Sequence, residues 1–216
     1  MSGVEAEKRA AARAAAALVR DGELVGLGSG STVAHLFPAL AERGLRIRCV
    51  AASPQSEQAA RAVGLDVEPF EGFERLDVAI DGADQITRAG WLIKGGGAAQ
   101  TREKIIAAAA DRFIVIAGAE KLVETLSPPV PLELIEFGIT ATLAALTPVS
   151  LRDVPRSPDR GVIADYHGPI GDPAQLAARL SATPGVVDHG LFPPPLTSTV
   201  IVARGDRIVS FEIPRP

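Results

Sequence analysis

The sequence contains one cysteine and three histidines in 216 residues, and it has no apolar run long enough to cross a membrane. A single cysteine excludes a disulfide within the chain, and the apolar surroundings of Cys49 in RIRCVAA favour a buried structural thiol over a nucleophile. The histidines, His35, His167 and His189, belong to different predicted elements, so we expect ordinary core or surface roles for them. Without disulfides or an export signal, the chain is predicted to be cytoplasmic.

An excess of either charge is also missing, because 22 lysines and arginines stand against 26 aspartates and glutamates, for a net charge of -4. We therefore predict no nucleic-acid partner and no membrane partner. A few lysines and helix N-termini can still bind a small anion. The Ala- and Arg-rich N-terminus slightly resembles a transit peptide, but Glu5, Glu7 and Asp21 favour an amphipathic helix that ends near Gly22.

Over about the first 125 residues, apolar strands alternate with helical segments. Ser31 or Thr32 is expected near the cap of one helix, and Ser53 and Pro54 are expected to begin the next. This alternation predicts an α/β fold, with a parallel Rossmann-like sheet covered on both faces. The predicted strands are ELVGLG, RIRCVAA, LDVAID and RFIVIAG, and the predicted helices are STVAHLFPALAERG, SPQSEQAARAVG and AAQTREKIIAAAAD.

The pattern changes at LSPPVPLEL, whose prolines suggest a crossing between two domains. The residues that follow predict a smaller α+β domain of ferredoxin-like type over 129–199. Its helices are predicted at LIEFGITATLAALT and at DPAQLAARLSATPG, the second capped by Asp172, and its strands at GVIADYHG and VVDHGLF. The last segment predicts a hairpin-like pair of strands that returns to the first domain, which then comprises 1–128 and 200–216.

Three loops that follow predicted strands carry glycines or acids: GSGST at 28–32, DGAD at 81–84 and KGGG at 94–97. Loops after the carboxyl ends of parallel strands lie along one edge of a sheet, so we expect these three to meet at a ligand. The first is not a dinucleotide motif, because Val33 stands where glycine or alanine is required and no acid ends the second strand. Its amides and hydroxyls suit a phosphate monoester, although a capped turn without a ligand explains this motif equally well.

The acidic loop and the glycine loop suggest a polyhydroxylated substrate. Asp81 and Asp84 share one tight turn and could bind a metal, cap a helix or bind hydroxyls, and the missing further ligands argue against a metal. The glycines after Lys94 let a ligand approach the backbone beside a fixed positive charge. Glu103 follows about two helical turns beyond Gly97, and its spacing alone favours an exposed helix residue.

The motifs GLGSGST, DGADQI, KGGGAAQTREKI and PGVVDHGLF together resemble the type A ribose-5-phosphate isomerase family over nearly the whole chain. The resemblance implies an aldose–ketose isomerase of the pentose phosphate pathway that interconverts ribose 5-phosphate and ribulose 5-phosphate through an enediolate, without a cofactor or a metal. It implies a homo-oligomer, either a dimer or a tetramer. Glu103 would be the general base, Lys94 would stabilise the enediolate, and Asp81 and Asp84 would hold hydroxyls and help ring opening. The implied substrate contacts are Ser29, Gly30, Ser31, Thr32, Asp81, Gly82, Ala83, Asp84, Lys94, Gly95, Gly96, Gly97 and Lys121.

The sequence departs from the usual family pattern in three segments. Gly118 and Glu120 occupy the places of an acid and a serine before Lys121, and Gln85 replaces the usual acid after the acidic loop. RSPDRG replaces the TDNGN segment of the second domain. We expect that segment to lie away from the motif loops and to alter surface or subunit contacts rather than chemistry.

Three alternatives to the standard isomerase stay open at this point. A sugar-phosphate sensor of a transcription regulator uses similar loops, but it would normally carry a basic helix-turn-helix module and has no need for Glu103. A sugar-phosphate deaminase would need a histidine in its catalytic loop, and no motif here supplies one. An isomerase for a modified pentose phosphate would have the same motifs as the standard enzyme.

Overall fold

The computed structural model describes residues 3–205 and 207–214. Its α-helices in these ranges are α1 Gly3–Ala16, α2 Leu36–Ala41, α3 Pro54–Ala62, α4 Gln100–Ala109, α5 Ile139–Leu146 and α6 Pro173–Ser181, with short 3-10 helices at Val33–His35, Phe70–Gly72, Ala119–Lys121 and Pro194–Leu196. Its strands are β1 Leu24–Leu27, β2 Arg48–Ala51, β3 Asp66–Val67, β4 Leu76–Asp81, β5 Gln85–Thr87, β6 Leu92–Ile93, β7 Ala110–Gly118, β8 Leu122–Val123, β9 Val130–Leu134, β10 Val149–Leu151, β11 Val162–Tyr166, β12 Val186–His189, β13 Leu191–Phe192, β14 Thr199–Arg204 and β15 Arg207–Glu212.

The larger sheet has seven strands in the order β15-β14-β7-β4-β1-β2-β3. All neighbours pair in parallel except β14 and β15, which form an antiparallel hairpin at one edge. Helices α1 and α2 pack on one face, and α4 packs on the other through Ile106 and Ala107. The predicted α/β class is therefore confirmed, and the last two strands join the large sheet as expected.

The smaller domain follows the chain order β9-α5-β10-β11-α6-β12, and its four antiparallel strands lie in the order β10-β11-β9-β12. This is the ferredoxin-like arrangement that was predicted. Two details differ from the prediction. VPLEL is a buried strand of this domain instead of a connection. The helix begins at Ile139, because Leu134 still belongs to that strand and Gly138 has a positive φ of 69°.

A third sheet, β13-β6-β5-β8, was not predicted, because three of its strands have only two residues each. It corrects the placement of the glycine loop. KGGG follows β6, which returns antiparallel to β5 after a turn closed at Gly90 with φ 88°, so this loop does not follow a strand of the parallel sheet. The hairpin carries Lys94 back toward the ends of β1 and β4.

Some helix ends lie where the sequence predicted them, and others do not. Ser53 accepts a hydrogen bond from the Ser56 amide at the start of α3, and Asp172 caps α6, as predicted. In contrast, Thr32 precedes a 3-10 turn and caps nothing with its side chain. Helix α1 ends at Ala16, several residues before Gly22.

Cys49 is fully buried in the core, where burial raises the pKa of its thiol to about 12 and makes it a poor nucleophile.

Candidate active site

The loops after β1 and β4 meet where the strand order of the large sheet reverses. The chain runs from β1 outward to β2 and β3, and then crosses back to β4 on the other side of β1. Ligands of open α/β sheets bind at this point. A side chain at Gly28 would overlap the Asp81 carboxylate, so glycine is required there for the two loops to touch. The Ser29 amide donates to Asp81 Oδ1 at 3.0 Å, and the Gly82 amide donates to the same atom at 2.7 Å.

Lys94 lies between two buried carboxylates at the floor of this crevice. Its Nζ is 2.9 Å from Asp81 Oδ2 and 3.2 Å from Glu103 Oε2, and it also donates to the Gly82 carbonyl at 2.5 Å. The Lys94 side chain is 3% exposed. A buried charge is stable only when it is paired, and here one ammonium serves two acids, which leaves one excess negative charge if all three groups are ionised.

Glu103 is 5% exposed, so the exposed position that its spacing favoured is wrong. It lies in the first turn of α4, and its side chain lines the crevice. The Ser29 hydroxyl donates to Glu103 Oε1, while Oε2 lies next to Lys94. The long-range approach of α4 to the ends of β1 and β4 buries this residue, and local spacing carries no record of such an approach.

The excess negative charge changes the proton affinity of the group. Burial and the neighbouring Glu103 carboxylate raise the pKa of Asp81 to about 7. Burial alone would lower the pKa of Lys94, but the charges of Asp81 and Glu103 outweigh burial and raise it, so Lys94 stays protonated. The Asp81 carboxyl therefore takes up its proton near neutral pH, beside an ammonium that also contacts Glu103. A carboxyl with this pKa can accept and return a proton under physiological conditions.

The glycine loop is fixed against the acidic loop. The Gly96 amide donates to Asp84 Oδ2 at 2.8 Å, and Gly95 has a φ of 105°, which only glycine adopts readily. A side chain at Gly96 would also press against the Asp84 carboxylate. The Gly97 amide donates to no acceptor in the part of the chain that the structure describes, and it borders the crevice. This loop therefore offers a free backbone donor near Lys94.

The crevice encloses a cavity of about 330 Å³ that brings nearly all the predicted site residues together. Lys121 lines it, at the end of the turn after β7. The sequence did not predict Val4, Lys8 and Glu120 as site residues. The only indication for Lys8 was its positive charge on the predicted first helix. The lining residues are Val4, Lys8, Ser29, Gly30, Ser31, Thr32, Gly82, Ala83, Asp84, Lys94, Gly95, Gly96, Gly97, Glu103, Glu120 and Lys121.

Two departures from the family pattern can now be placed. The Glu120 carboxylate folds back over Gly118, where any side chain would overlap it. The segment around RSPDRG does not lie away from the motif loops, so that expectation is wrong. Its residues Val154, Pro155, Arg156 and Pro158 border a second cavity of about 720 Å³ that is shared with the serine and glycine loops.

The histidines lie outside the crevice, as expected. His35 contacts Glu5, His167 contacts Ser150, and His189 contacts Ser181 and Lys104. Burial and the nearby Lys104 charge lower the pKa of His189 to about 4, so it is neutral.

Within residues 3–205 and 207–214, no group of three or more histidine, cysteine, aspartate or glutamate side chains is arranged to hold a metal ion. No helix in the same ranges is long and apolar enough to span a membrane.

Comparisons with known proteins relate the chain to one family of enzymes. A family model described as ribose 5-phosphate isomerase A (phosphoriboisomerase A) matches residues 48–207. The chain is 41% identical to the ribose-5-phosphate isomerase A of Gluconobacter oxydans, over 98% of this chain and 100% of that protein. It is 47% identical to the enzyme of the same name from Natronomonas pharaonis, over 88% of this chain and 90% of that protein. A solved structure of a D-ribose-5-phosphate isomerase in complex with phospho-erythronic acid is similar with a TM-score of 0.91 and 33% identity, covering 97% of this chain and 99% of that one.

Proposed function

Because this chain belongs to the ribose 5-phosphate isomerase A family, we propose that Glu103 is the general base with which it interconverts ribose 5-phosphate and ribulose 5-phosphate. The enzyme activity itself follows from the family, and it makes the chain an aldose–ketose isomerase of carbohydrate metabolism. Membership leaves the sensor and deaminase alternatives without support. The assignment of residues to steps rests on the geometry of the crevice.

The reaction moves one proton between two neighbouring carbons. Glu103 removes the proton from C2 of the open-chain aldose, and the electron pair flows toward the C1 carbonyl to give an enediolate. The same carboxylic acid then delivers the proton to C1, and the hydroxyl proton moves from O2 to O1. The Lys94 ammonium, 3.2 Å from Glu103 Oε2, is close enough to stabilise the oxyanion that develops beside the base.

Asp81 and Asp84 fit the handling of hydroxyl groups. Asp84 is held by the Gly96 amide through Oδ2, and its other oxygen does not take part in that bond. The pKa of Asp81 near neutrality, raised by burial and by Glu103, suits proton exchange with a sugar hydroxyl during ring opening. A lysine supplies the positive charge in this proposal, so the reaction is proposed to need no metal ion.

The phosphate group is proposed to bind beside Ser31 and Thr32. Both residues line the cavity, the Thr32 hydroxyl is not used for helix capping, and Lys8 and Lys121 line the same cavity. Lys8 also pairs with Glu5 at 2.7 Å, and Glu120 lies beside Lys121. Two lysines, hydroxyls and backbone amides together form a suitable environment for a phosphate monoester.

The observation that carries this proposal is the buried carboxylate of Glu103 within 3.2 Å of the Lys94 ammonium. The test is turnover in deuterium oxide with a panel of pentose 5-phosphates and modified pentose phosphates. The wild-type enzyme should introduce one solvent deuterium at C1 or C2 while it interconverts ribose 5-phosphate and ribulose 5-phosphate. Isomerisation without any deuterium, under slow conditions that allow exchange with the base, would contradict a proton transfer through an exchanging carboxylic acid.

Assembly and location are proposed on separate grounds. The small domain exposes an apolar face around α5 that includes Ile135, Ala141 and Phe137, whose side chain is 92% exposed. An apolar face of this kind is typical of a subunit interface, so we propose a homo-oligomer, a dimer or tetramer, that buries it. A free, buried Cys49 thiol is compatible with a reducing cytoplasm, which is the proposed location.

A further inference from the structure

Arg152 contacts the glycine loop but does not line the crevice. It follows β10 of the small domain, and its side chain is 18% exposed. Its Nη1 donates to the Gly95 carbonyl at 2.9 Å and to the Gly96 carbonyl at 3.2 Å. Arg152 belongs to no sequence motif and lies more than fifty positions from the loop. The sequence therefore did not indicate this contact.

The guanidinium is held in place by Asp165 on β11. Arg152 Nε donates to Asp165 Oδ2 at 3.0 Å, and Arg152 Nη2 donates to Asp165 Oδ1. The Asp165 side chain is also largely buried. A two-point arginine–carboxylate contact fixes the plane of the guanidinium as well as its position. The free Nη1 edge is therefore aimed at the two loop carbonyls.

The direction of these carbonyls decides where the loop amides point. A trans peptide is planar, and its C=O and N–H groups point in opposite directions. Neither peptide of this loop is cis, so the Gly96 and Gly97 amides point away from Arg152. The Gly96 amide accordingly reaches Asp84, and the amide of Gly97, a residue that lines the crevice, has no protein acceptor among the described residues.

We propose that Arg152, oriented by Asp165, is a positioning residue that fixes the glycine loop so that its Gly97 amide faces the enediolate oxygen. This inference rests on the proposed enediolate mechanism. A donor that is already oriented stabilises developing charge without a cost of reorganisation, whereas a peptide free to rotate loses that advantage. Arg152 touches no reacting atom in this arrangement and acts only through the loop.

The test compares Arg152→Met with Arg179→Met. Methionine keeps much of the length of the arginine side chain but has no donor for the carbonyls. Arg179 lies on α6 of the same domain, borders neither cavity, and donates to the Tyr166 hydroxyl at 2.6 Å instead of the glycine loop. We expect Arg152→Met to lower kcat by about 10–100-fold with KM changed by less than about threefold, because a misdirected donor weakens the transition state more than the bound substrate. Arg179→Met should retain wild-type kcat.

Inhibition by phospho-erythronic acid provides a readout that a purely structural role would not change. Its carboxylate resembles the enediolate, so its inhibition constant should rise in parallel with the loss of kcat in Arg152→Met. Arg152→Lys should recover only part of the activity, because one ammonium cannot reproduce the fork that binds Asp165 and two carbonyls. Rates are expressed per folded protein, measured by thermal unfolding.

A second variant protects the test against misfolding. Asp165→Asn keeps the Arg152 charge but weakens its orientation, and we expect a kcat loss of about 3–10-fold. Unchanged kcat in both Asp165→Asn and a folded Arg152→Met would overturn the positioning role, and so would a loss confined to KM. If Glu103→Gln abolishes turnover while these variants remain active, only the positioning role fails and the proposed base stands.

Discussion

Glu103→Gln separates the two roles that this residue could have. The substitution keeps the size of the side chain and its capacity for hydrogen bonds, but an amide cannot accept a proton from carbon. The glutamine oxygen can face Lys94, and its NH2 group can donate to the Ser29 hydroxyl, which rotates to accept. Binding of the sugar phosphate should therefore persist.

The expected losses of kcat and of stability in Glu103→Gln can both be estimated. General-base catalysis contributes roughly 10²–10⁴-fold, so kcat should fall by that factor, which corresponds to about 3–5 kcal/mol of barrier. Stability should not fall in proportion. The variant removes the excess negative charge from the buried group, and Lys94 keeps its 2.9 Å contact with Asp81. We therefore expect a loss of less than about 1 kcal/mol, or roughly 2–4 °C in Tm.

The assay combines measurement of steady-state rates with measurement of deuterium incorporation from solvent. Glu133→Gln is the matched control, because Glu133 is also a buried glutamate, 2% exposed, that accepts hydrogen bonds from the Thr101 and Ser157 hydroxyls outside the cavity. It should keep kcat within a few-fold of wild type. Normal deuterium exchange in a folded Glu103→Gln enzyme would refute the assignment of the base. Equal losses in both variants would show that burial of any glutamine, and not loss of the base, explains the defect.

Four further predictions concern the same molecule. The value of kcat/KM should fall about tenfold per pH unit below roughly pH 7 and level off above it, because burial and Glu103 raise the pKa of Asp81 to about 7 and Asp81 must be ionised to accept a hydroxyl proton during ring opening; a flat profile from pH 5 to 8 would contradict this. Exhaustive chelation should leave turnover unchanged, and restoration of lost activity by a divalent ion would show that the acidic loop has been misread. Gly30→Val should raise KM for ribose 5-phosphate by about tenfold or more, because Gly30 has a φ of 91° that valine strains, and an unchanged KM would move the phosphate elsewhere. Phe137→Asp should shift the molecular mass in light scattering toward the monomer, and an oligomer unaffected by it would need another interface.

The parts of the fold and site that sequence predicted well depend on topology. Alternating strands and helices determine a parallel sheet, and a parallel sheet brings the loops after its strands to one edge. The serine loop and the acidic loop were therefore expected to meet, and they do so through the Ser29 amide, which donates to Asp81. The class of fold needed no knowledge of any contact. The roles of individual site residues remain predictions until the variants are measured.

The parts that sequence did not predict depend on contacts between distant segments. The hairpin of β5 and β6 is too short to give a periodic signal, although it delivers Lys94 to the crevice. Spacing alone favoured a surface position for Glu103, because spacing along a helix does not say which face another element covers. The segment after β10 was expected to lie apart, yet Arg152 crosses from the small domain to hold the Gly95 and Gly96 carbonyls.

The buried charges themselves argue for a functional site. One ammonium between two carboxylates is a poor solution for stability, since a single buried carboxylate would neutralise Lys94 and a well-packed apolar group would cost less still. Gly28 adds to this, because it gives up a side chain in the core so that the Asp81 carboxylate can fit. Natural sequences break the rules of packing and charge mainly where function requires it. The site combines an Asp81 carboxyl whose pKa is raised to about 7, a second buried carboxylate at Glu103 and an ammonium that stays charged, and these groups suit a reversible proton transfer on a sugar.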